Sequence, residues 1–133
     1  MTTKSSGFTL IELMVVVAIL GILSTVGIIS YQGYVSGARQ KSAENAMQQI
    51  SLAQTEEYSN TGEYFTSKKS CGDPDTETSD EIEVRLFGGA DIITKESDYE
   101  MCVALEGESS YIIRASNGKK IITLSANGVW TGK

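Results

Sequence analysis

The sequence predicts an α+β fold: one long N-terminal α-helix packed on an antiparallel β-sheet head. Three observations predict it. No proline occurs before Pro74, so a single helix can run through the N-terminal part unbroken. The apolar pattern changes along the chain, from a continuous block near the N-terminus to alternating positions further on, and alternation at period two marks half-buried strands. Asn117-Gly118 and Asn127-Gly128 punctuate the C-terminal part, as tight hairpins require. At 133 residues the chain fits one modest core.

The helix is expected from Phe8 to about Tyr58, roughly 50 residues and ~75 Å at ~1.5 Å each. Its two halves differ. From Phe8 to Ile29 it is almost wholly apolar. After Tyr34, Ala43, Ala46, Met47, Ile50 and Ala53 recur at steps of three and four, with Arg39, Lys41, Glu44, Gln48, Gln49 and Glu56 on other faces. Only this second half carries a stripe suited to packing on a head. Gly21, Gly27, Gly33 and Gly37 soften the middle, each costing ~1 kcal/mol relative to Ala. Two helices broken at Gly33 or Gly37 are therefore an alternative. Gly33 and Gly37 also form a small-xxx-small pair of the kind used between membrane helices.

Residues 59–80 read as a connecting region rich in turn formers. The sheet is expected over 81–133. EIEVRLF (81–87) alternates and reads as a strand ended by Gly88-Gly89; YEMCVAL (99–105), SSYIIRAS (109–116) and KKIITLSA (119–126) read as three more, followed by Val129 and Trp130. Asp91–Lys95 fits a short strand or an irregular turn. A sheet with one apolar face needs a cover, and the amphipathic half of the helix supplies it.

Composition narrows the function. Acidic residues outnumber basic ones 17 to 11, for a net charge of −6. Most of the acid lies between Asp73 and Glu108, with Arg85 and Lys95 as counter-charges. Such a surface repels phosphate and disfavours a nucleic-acid binder. There is no histidine, which removes the commonest general base and metal ligand. No nucleophile-elbow, P-loop or dinucleotide fingerprint occurs, so an enzyme is not expected, nor a cofactor. In GDPDTETSDE (72–81), Asp73, Asp75 and Glu77 alternate as in a calcium loop, but Thr78 stands where glycine is needed and Val84 where the bidentate Glu belongs. A solvated loop is the reading, with no metal. Lys68-Lys69 and Lys119-Lys120 serve as surface charge and strand-edge protection, or would meet DNA if adjacent in space.

The opening MTTKSSGFTLIELMVVVAILGIL is not an ordinary secretory signal. Its basic start is Lys4 alone, and no small-residue cleavage site follows the apolar run. The run of about 22 residues is long enough to cross ~30 Å of hydrocarbon. A plain anchor does not explain Glu12, because a carboxylate in hydrocarbon costs roughly 2.5–3.5 kcal/mol on insertion scales. It either finds a partner or is a tolerated acid that snorkels or stays protonated.

From Gly7 to about Tyr34 these residues resemble the prepilin-type N-terminus of type IV pilins and type II secretion pseudopilins. The resemblance implies the pilin fold, a leader of residues 1–7 removed by a prepilin peptidase that cuts between Gly7 and Phe8, and N-methylation at Phe8. The mature chain would keep a membrane and assembly half (8–35) and a head (36–133), the latter made of the helix half 36–58, the connecting loop 59–80 and the sheet. Glu12 would pair with an N-terminal amine, its own one helical turn away or that of a neighbouring subunit, and so set register in a filament. Such pilins usually carry a proline near the position of Ile29; here any loss of helicity there would rest on the glycines.

Export also bears on Cys71 and Cys102, the two cysteines. They form one bridge, retained in an oxidising compartment, or stay as two buried thiols. The bridge would tie the connecting loop to a strand.

The function implied is a structural one: a major or minor pilin that polymerises into a homo- or hetero-oligomeric filament for adhesion or motility. It would be held in the inner membrane as a precursor and taken up by the pilus assembly machinery. The alternatives are a pseudopilin of a periplasmic pseudopilus and a DNA-uptake or adhesive minor pilin.

Overall fold

The computed structural model describes residues 6–93 and 97–133. Lys4 of the expected leader lies outside the described residues, as does the end of the ambiguous Asp91–Lys95 stretch. The chain divides into two compact units, one ending at Gly37 and one spanning Ala38–Lys133.

Helix α1 (Leu10–Thr61) is a single helix, unbroken at Gly33 and Gly37. Helix α2 (Thr76–Phe87) follows, then β1 (Glu100–Leu105), β2 (Tyr111–Ser116), β3 (Ile121–Ser125) and β4 (Trp130–Thr131). The strands form an antiparallel meander in the order β1-β2-β3-β4, with Val103 opposite Ile113 and Ala115 opposite Ile122.

The stretch 81–87, expected as the first strand, is helical instead. Ile82 and Leu86 are four apart, so both the strand period and the helix period place them on one face, and a seven-residue alternation cannot separate the two. The start signal decides. Asp75 caps the helix by accepting from the Thr78 N–H at 3.0 Å, while its own N–H donates to Thr78 Oγ1, a reciprocal capping box. Ile82 is buried and Val84 is 63% exposed. Gly88, in the left-handed region at φ 64°, ends the helix rather than a strand. The sheet therefore begins at Glu100, not at residue 81.

The Asn117-Gly118 hairpin also differs from a two-residue turn. Ser116 pairs with Ile121, leaving a four-residue loop in which only Gly118 has positive φ. Asn117 Oδ1 accepts from the Lys119 and Lys120 N–H groups at 3.0 and 2.7 Å, and this side-chain turn removes the need for positive φ at Asn117.

The core joins Ala43, Met47 and Ile50 of α1 and Ile82 of α2 to the inner sheet face of Met101, Val103, Ile113, Ala115 and Ile122. Each large apolar side chain so buried contributes about 1.5–3 kcal/mol. Two polar residues of α1 are also buried. Gln54 is fully enclosed: its Nε2 donates to the Phe65 carbonyl at 2.8 Å and its Oε1 accepts from the Phe65 N–H at 2.9 Å. One side chain thus satisfies both backbone groups of a buried loop residue.

Glu44, expected on a face other than the apolar stripe, is the second. Its carboxylate accepts from Gln40 at 3.0 Å and Lys41 at 2.9 Å, with Lys133 at 3.6 Å. Burial opposes its ionisation, but the Gln40 and Lys41 hydrogen bonds and the Lys133 and Lys41 charges outweigh it, and the carboxyl sits below its ordinary value.

The outer edge of β1 is closed by side chains and loop. Ser79 Oγ of α2 accepts from the Met101 N–H at 3.0 Å and Ser67 Oγ accepts from the Val103 N–H at 3.1 Å. The Val103 carbonyl accepts from the Ser67 N–H at 3.0 Å. On the outer face, Cys102 is bonded to Cys71 across a separation of 31 residues, a loop closure worth ~3–4 kcal/mol in the chain-entropy model.

Gln54→Ala is expected to lower stability by about 2–5 kcal/mol, since it leaves two buried backbone groups unpaired at ~1–3 kcal/mol each. Urea denaturation of the full chain in detergent reads it, and a change under about 0.5 kcal/mol would contradict the role assigned. Glu44 predicts an acid-sensitive fold. Its folded pKa lies below the unfolded value, near 4.3, so its contribution is present above that pH and is lost as pH falls through the folded value. The stability gap between wild type and Glu44→Gln should therefore shrink from pH ~6 to pH ~3; a gap independent of pH sinks the assignment.

Candidate functional site

Gly7, Phe8 and Thr9 precede α1 outside any regular element. Phe8 is 88% exposed, and nothing lies within 4 Å of where a Cβ on Gly7 would stand. The expected cleavage bond is therefore in accessible, non-helical backbone.

Helix α1 starts on a reciprocal cap. The Thr9 N–H donates to Glu12 Oε2 at 2.8 Å, and the Glu12 N–H donates to Thr9 Oγ1 at 3.2 Å. The Thr9 carbonyl accepts the first helical bond, from the Leu13 N–H at 3.2 Å. Thr9-Leu10-Ile11-Glu12 is thus a capping box, and the acid also sits where the helix dipole favours it. Thr9 is the residue that sequence reasoning missed. Its signal was in plain view: Thr-x-x-Glu directly before an apolar run. Glu12 thus has an intrachain partner in the Thr9 N–H, with no terminal amine needed at Phe8.

Beyond the cap, α1 is apolar on every side. Leu10, Met14, Ile11, Ile19, Leu23 and Leu13, which lie around the helix at ~3.6 residues per turn, all stand exposed. Ser24 and Thr25 return their hydroxyls to the Leu20 and Gly21 carbonyls, at 2.6 and 2.9 Å, so neither presents an unsatisfied donor to an apolar surround. Among the described residues this is the helix long and apolar enough to cross a membrane.

The other candidates are occupied by structural work. Lys69 pairs with Asp75 at 2.6 Å and Glu77 at 3.1 Å. These bonds hold the Lys69 ammonium above its ordinary pKa, while the bond from Lys69 and that from the Thr78 N–H hold the Asp75 carboxyl below its own. Lys120 turns instead to Gln40 at 2.8 Å, and no contact among the described residues joins the two lysine pairs. No group of three or more His, Cys, Asp or Glu among the described residues could hold a metal ion; in the 72–81 stretch, expected as a solvated loop but helical from Thr76 on, Asp75 caps α2, and Asp75 and Glu77 bind Lys69. Cys71 and Cys102 are joined.

Comparison with known proteins places the N-terminal geometry. Residues 2–28 match the prokaryotic N-terminal methylation motif. The chain is 43% identical over 72 residues to a fimbrial protein of Neisseria meningitidis serogroup A, covering 54% of this chain and 42% of that protein. It is 42% identical over 92 residues to a fimbrial protein of N. meningitidis serogroup B, covering 69% of this chain and 52% of that one. A type IV major pilin protein PilE1 of Neisseria gonorrhoeae matches at 42% over 72 residues, 54% of this chain and 44% of that protein. The chain belongs to the type IV pilin and fimbrial family. This pilin-family chain spans about half the length of the curated relatives it matches. No solved structure matches it significantly. A long hydrophobic helix whose second half packs on an antiparallel sheet is the pilin architecture.

The capping box makes its own prediction. Thr9→Val removes the hydroxyl acceptor and should cost about 1 kcal/mol at the helix start. Amide exchange at Thr9 and Glu12 in the micelle-bound full chain should speed up about fivefold; unchanged exchange would rule the box out in solution.

Proposed function

We propose that the chain is the precursor of a filament subunit, a type IV pilin, anchored by its apolar helix in the inner membrane. In this reading a prepilin peptidase cuts between Gly7 and Phe8, removing residues 1–7, and the new Phe8 amine is methylated. The pilus assembly machinery then transfers the subunit from bilayer to filament, where residues 8–35 pack against their counterparts and residues 36–133 form the outer head. The filament is homo- or hetero-oligomeric and extracellular, used for adhesion or motility.

The observation that carries this reading is the pairing of an all-round apolar helix with one acid held in its first turn, directly after an exposed Gly7–Phe8 bond. The terminal amine created by the cut lies next to Thr9, whose N–H already holds Glu12. A neighbouring subunit's amine brought to the same carboxylate gives a buried ion pair. Such a pair adds little net stability, but breaking it leaves a buried charge at ~3–5 kcal/mol, which makes it a register device. The relatives' printed names, fimbrial protein and type IV major pilin, favour a pilus over a secretion pseudopilus.

Mass spectrometry of subunits from purified filaments should show a chain beginning at Phe8 and heavier by one methyl group. A Met1 start in assembled filaments would overturn the reading. Glu12→Ala should leave membrane insertion intact and lower filament yield about tenfold or more. Deletion that stops secretion of an enzyme while surface filaments persist would assign the chain to a pseudopilus instead.

A further inference from the structure

The geometry points to a second functional surface: a cationic patch, built by the head around Gln40 and Glu44, that docks on the anionic phospholipid headgroups of the bilayer holding the precursor. This rests on the membrane reading proposed above and adds a partner for the head.

The patch is made by contacts between distant parts of the chain. Lys120 Nζ donates to Gln40 Oε1 at 2.8 Å across 80 residues of sequence. Lys41 Nζ donates to Glu44 Oε2 at 2.9 Å, and Lys133 Nζ lies 3.6 Å from the same oxygen. Lys119, beside Lys120, is exposed. Arg39, beside Gln40, faces Asp98 at 3.7 Å, with both side chains largely in solvent. These cations outnumber the carboxylates among them, Glu44 and Asp98. Lys120 is held by a neutral amide, so its charge is not cancelled, and Glu44 is shared by two lysines. By contact, five cations gather around two carboxylates on a chain whose total charge is −6, while Asp73, Asp80, Glu83, Asp91 and Glu100 line the neighbouring groove that reaches Gly118. The head has gathered opposite charge to one place.

What this place faces is indicated by the order of residues leading to it. The apolar run ends at Ile29, Tyr31 and Tyr34 follow, and Arg39 and Lys41 come next. A bilayer presents hydrocarbon, then an interfacial belt that favours tyrosine, then phosphate. Arg39 and Lys41 come 10 and 12 residues after Ile29, where that belt gives way to headgroups. Sequence order alone gives only these two. Folding adds Lys119, Lys120 and Lys133 to the same neighbourhood, which makes the patch polybasic and suited to anionic lipid.

The full chain, reconstituted in vesicles of phosphatidylcholine alone or with phosphatidylglycerol, is treated with a membrane-impermeant amine reagent, and each lysine's modification is read by mass spectrometry. In anionic vesicles, modification of Lys41, Lys119, Lys120 and Lys133 should fall about fivefold relative to Lys68 and Lys69. High salt should abolish the difference. The triple variant Arg39→Gln, Lys119→Gln, Lys120→Gln should lose the protection of Lys41 and Lys133. Equal modification in the two vesicle types overturns the proposal. So does protection that follows protein density rather than lipid charge, which would mark a second copy of the chain as the occupant. Protection of the detergent-held chain by duplex DNA or inorganic phosphate, with none from anionic vesicles, overturns it as well. Flotation with the vesicles is scored in the same samples: a chain that does not float overturns the membrane reading together with the patch, and one that floats with its lysines unprotected overturns the patch alone.

Discussion

The outer edge of β1 is the constraint on which the head depends. A bare edge strand exposes a row of N–H and C=O groups to any other chain, and here those groups face protein. Ser79 and Ser67 take the N–H groups of Met101 and Val103, and the Ser67 N–H takes the Val103 carbonyl. Each of these serines must be held where it is. Ser79 is held because α2 is capped by Asp75 and Thr78. Ser67 is held because Phe65, two residues earlier, is clamped by Gln54 of α1. Cys71–Cys102 fixes the same loop to the strand covalently. Helix, loop, second helix and sheet therefore form one closed circuit around a single strand edge.

Much of this architecture is legible in the residues, and the exceptions have physical causes. The long helix, its Ala43–Ile50 stripe and three of the expected strands follow from period and turn chemistry, whereas two cysteines alone leave the Cys71–Cys102 bond open against two thiols. The helix at 76–87 was hidden because Ile82 and Leu86 satisfy both periods, and the Asp75–Thr78 signal lies outside the alternating segment. Polarity puts Glu44 on a face away from the apolar stripe and marks nothing at Gln54, yet polar groups enter a core when every bond is met. No sequence pattern announces that Phe65 needs both of its backbone groups satisfied, or that Lys133 will reach Glu44. At the N-terminus, Glu12 is conspicuous through its cost in an apolar run, and Thr9, a small polar residue at the edge of that run, relieves part of the cost locally.

The two units answer to different solvents. From Ala38 onward, apolar side chains turn inward and charge is spread over the surface, with cations collected near Gln40 and Glu44. Before Gly37, apolar side chains cover the helix on all sides and polar atoms are folded back on the backbone. One continuous α1 serves both regimes because backbone hydrogen bonding is internal to a helix whatever surrounds it. The sequence changes only which side chains the helix displays.

The Thr9–Glu12 box has a consequence for timing. Its bonds use atoms of Thr9, Glu12 and Leu13 alone, so none of them is lost if the bond between Gly7 and Phe8 is cut. The helix start would keep these bonds across such a cut. Under the proposed processing one thing would change, the appearance of a positive charge beside a carboxylate already bonded in the first turn. A stored subunit and a subunit ready to assemble would share one shape and differ only in what they can attract, so commitment to the filament would be dated by the peptidase and not by any rearrangement of the protein.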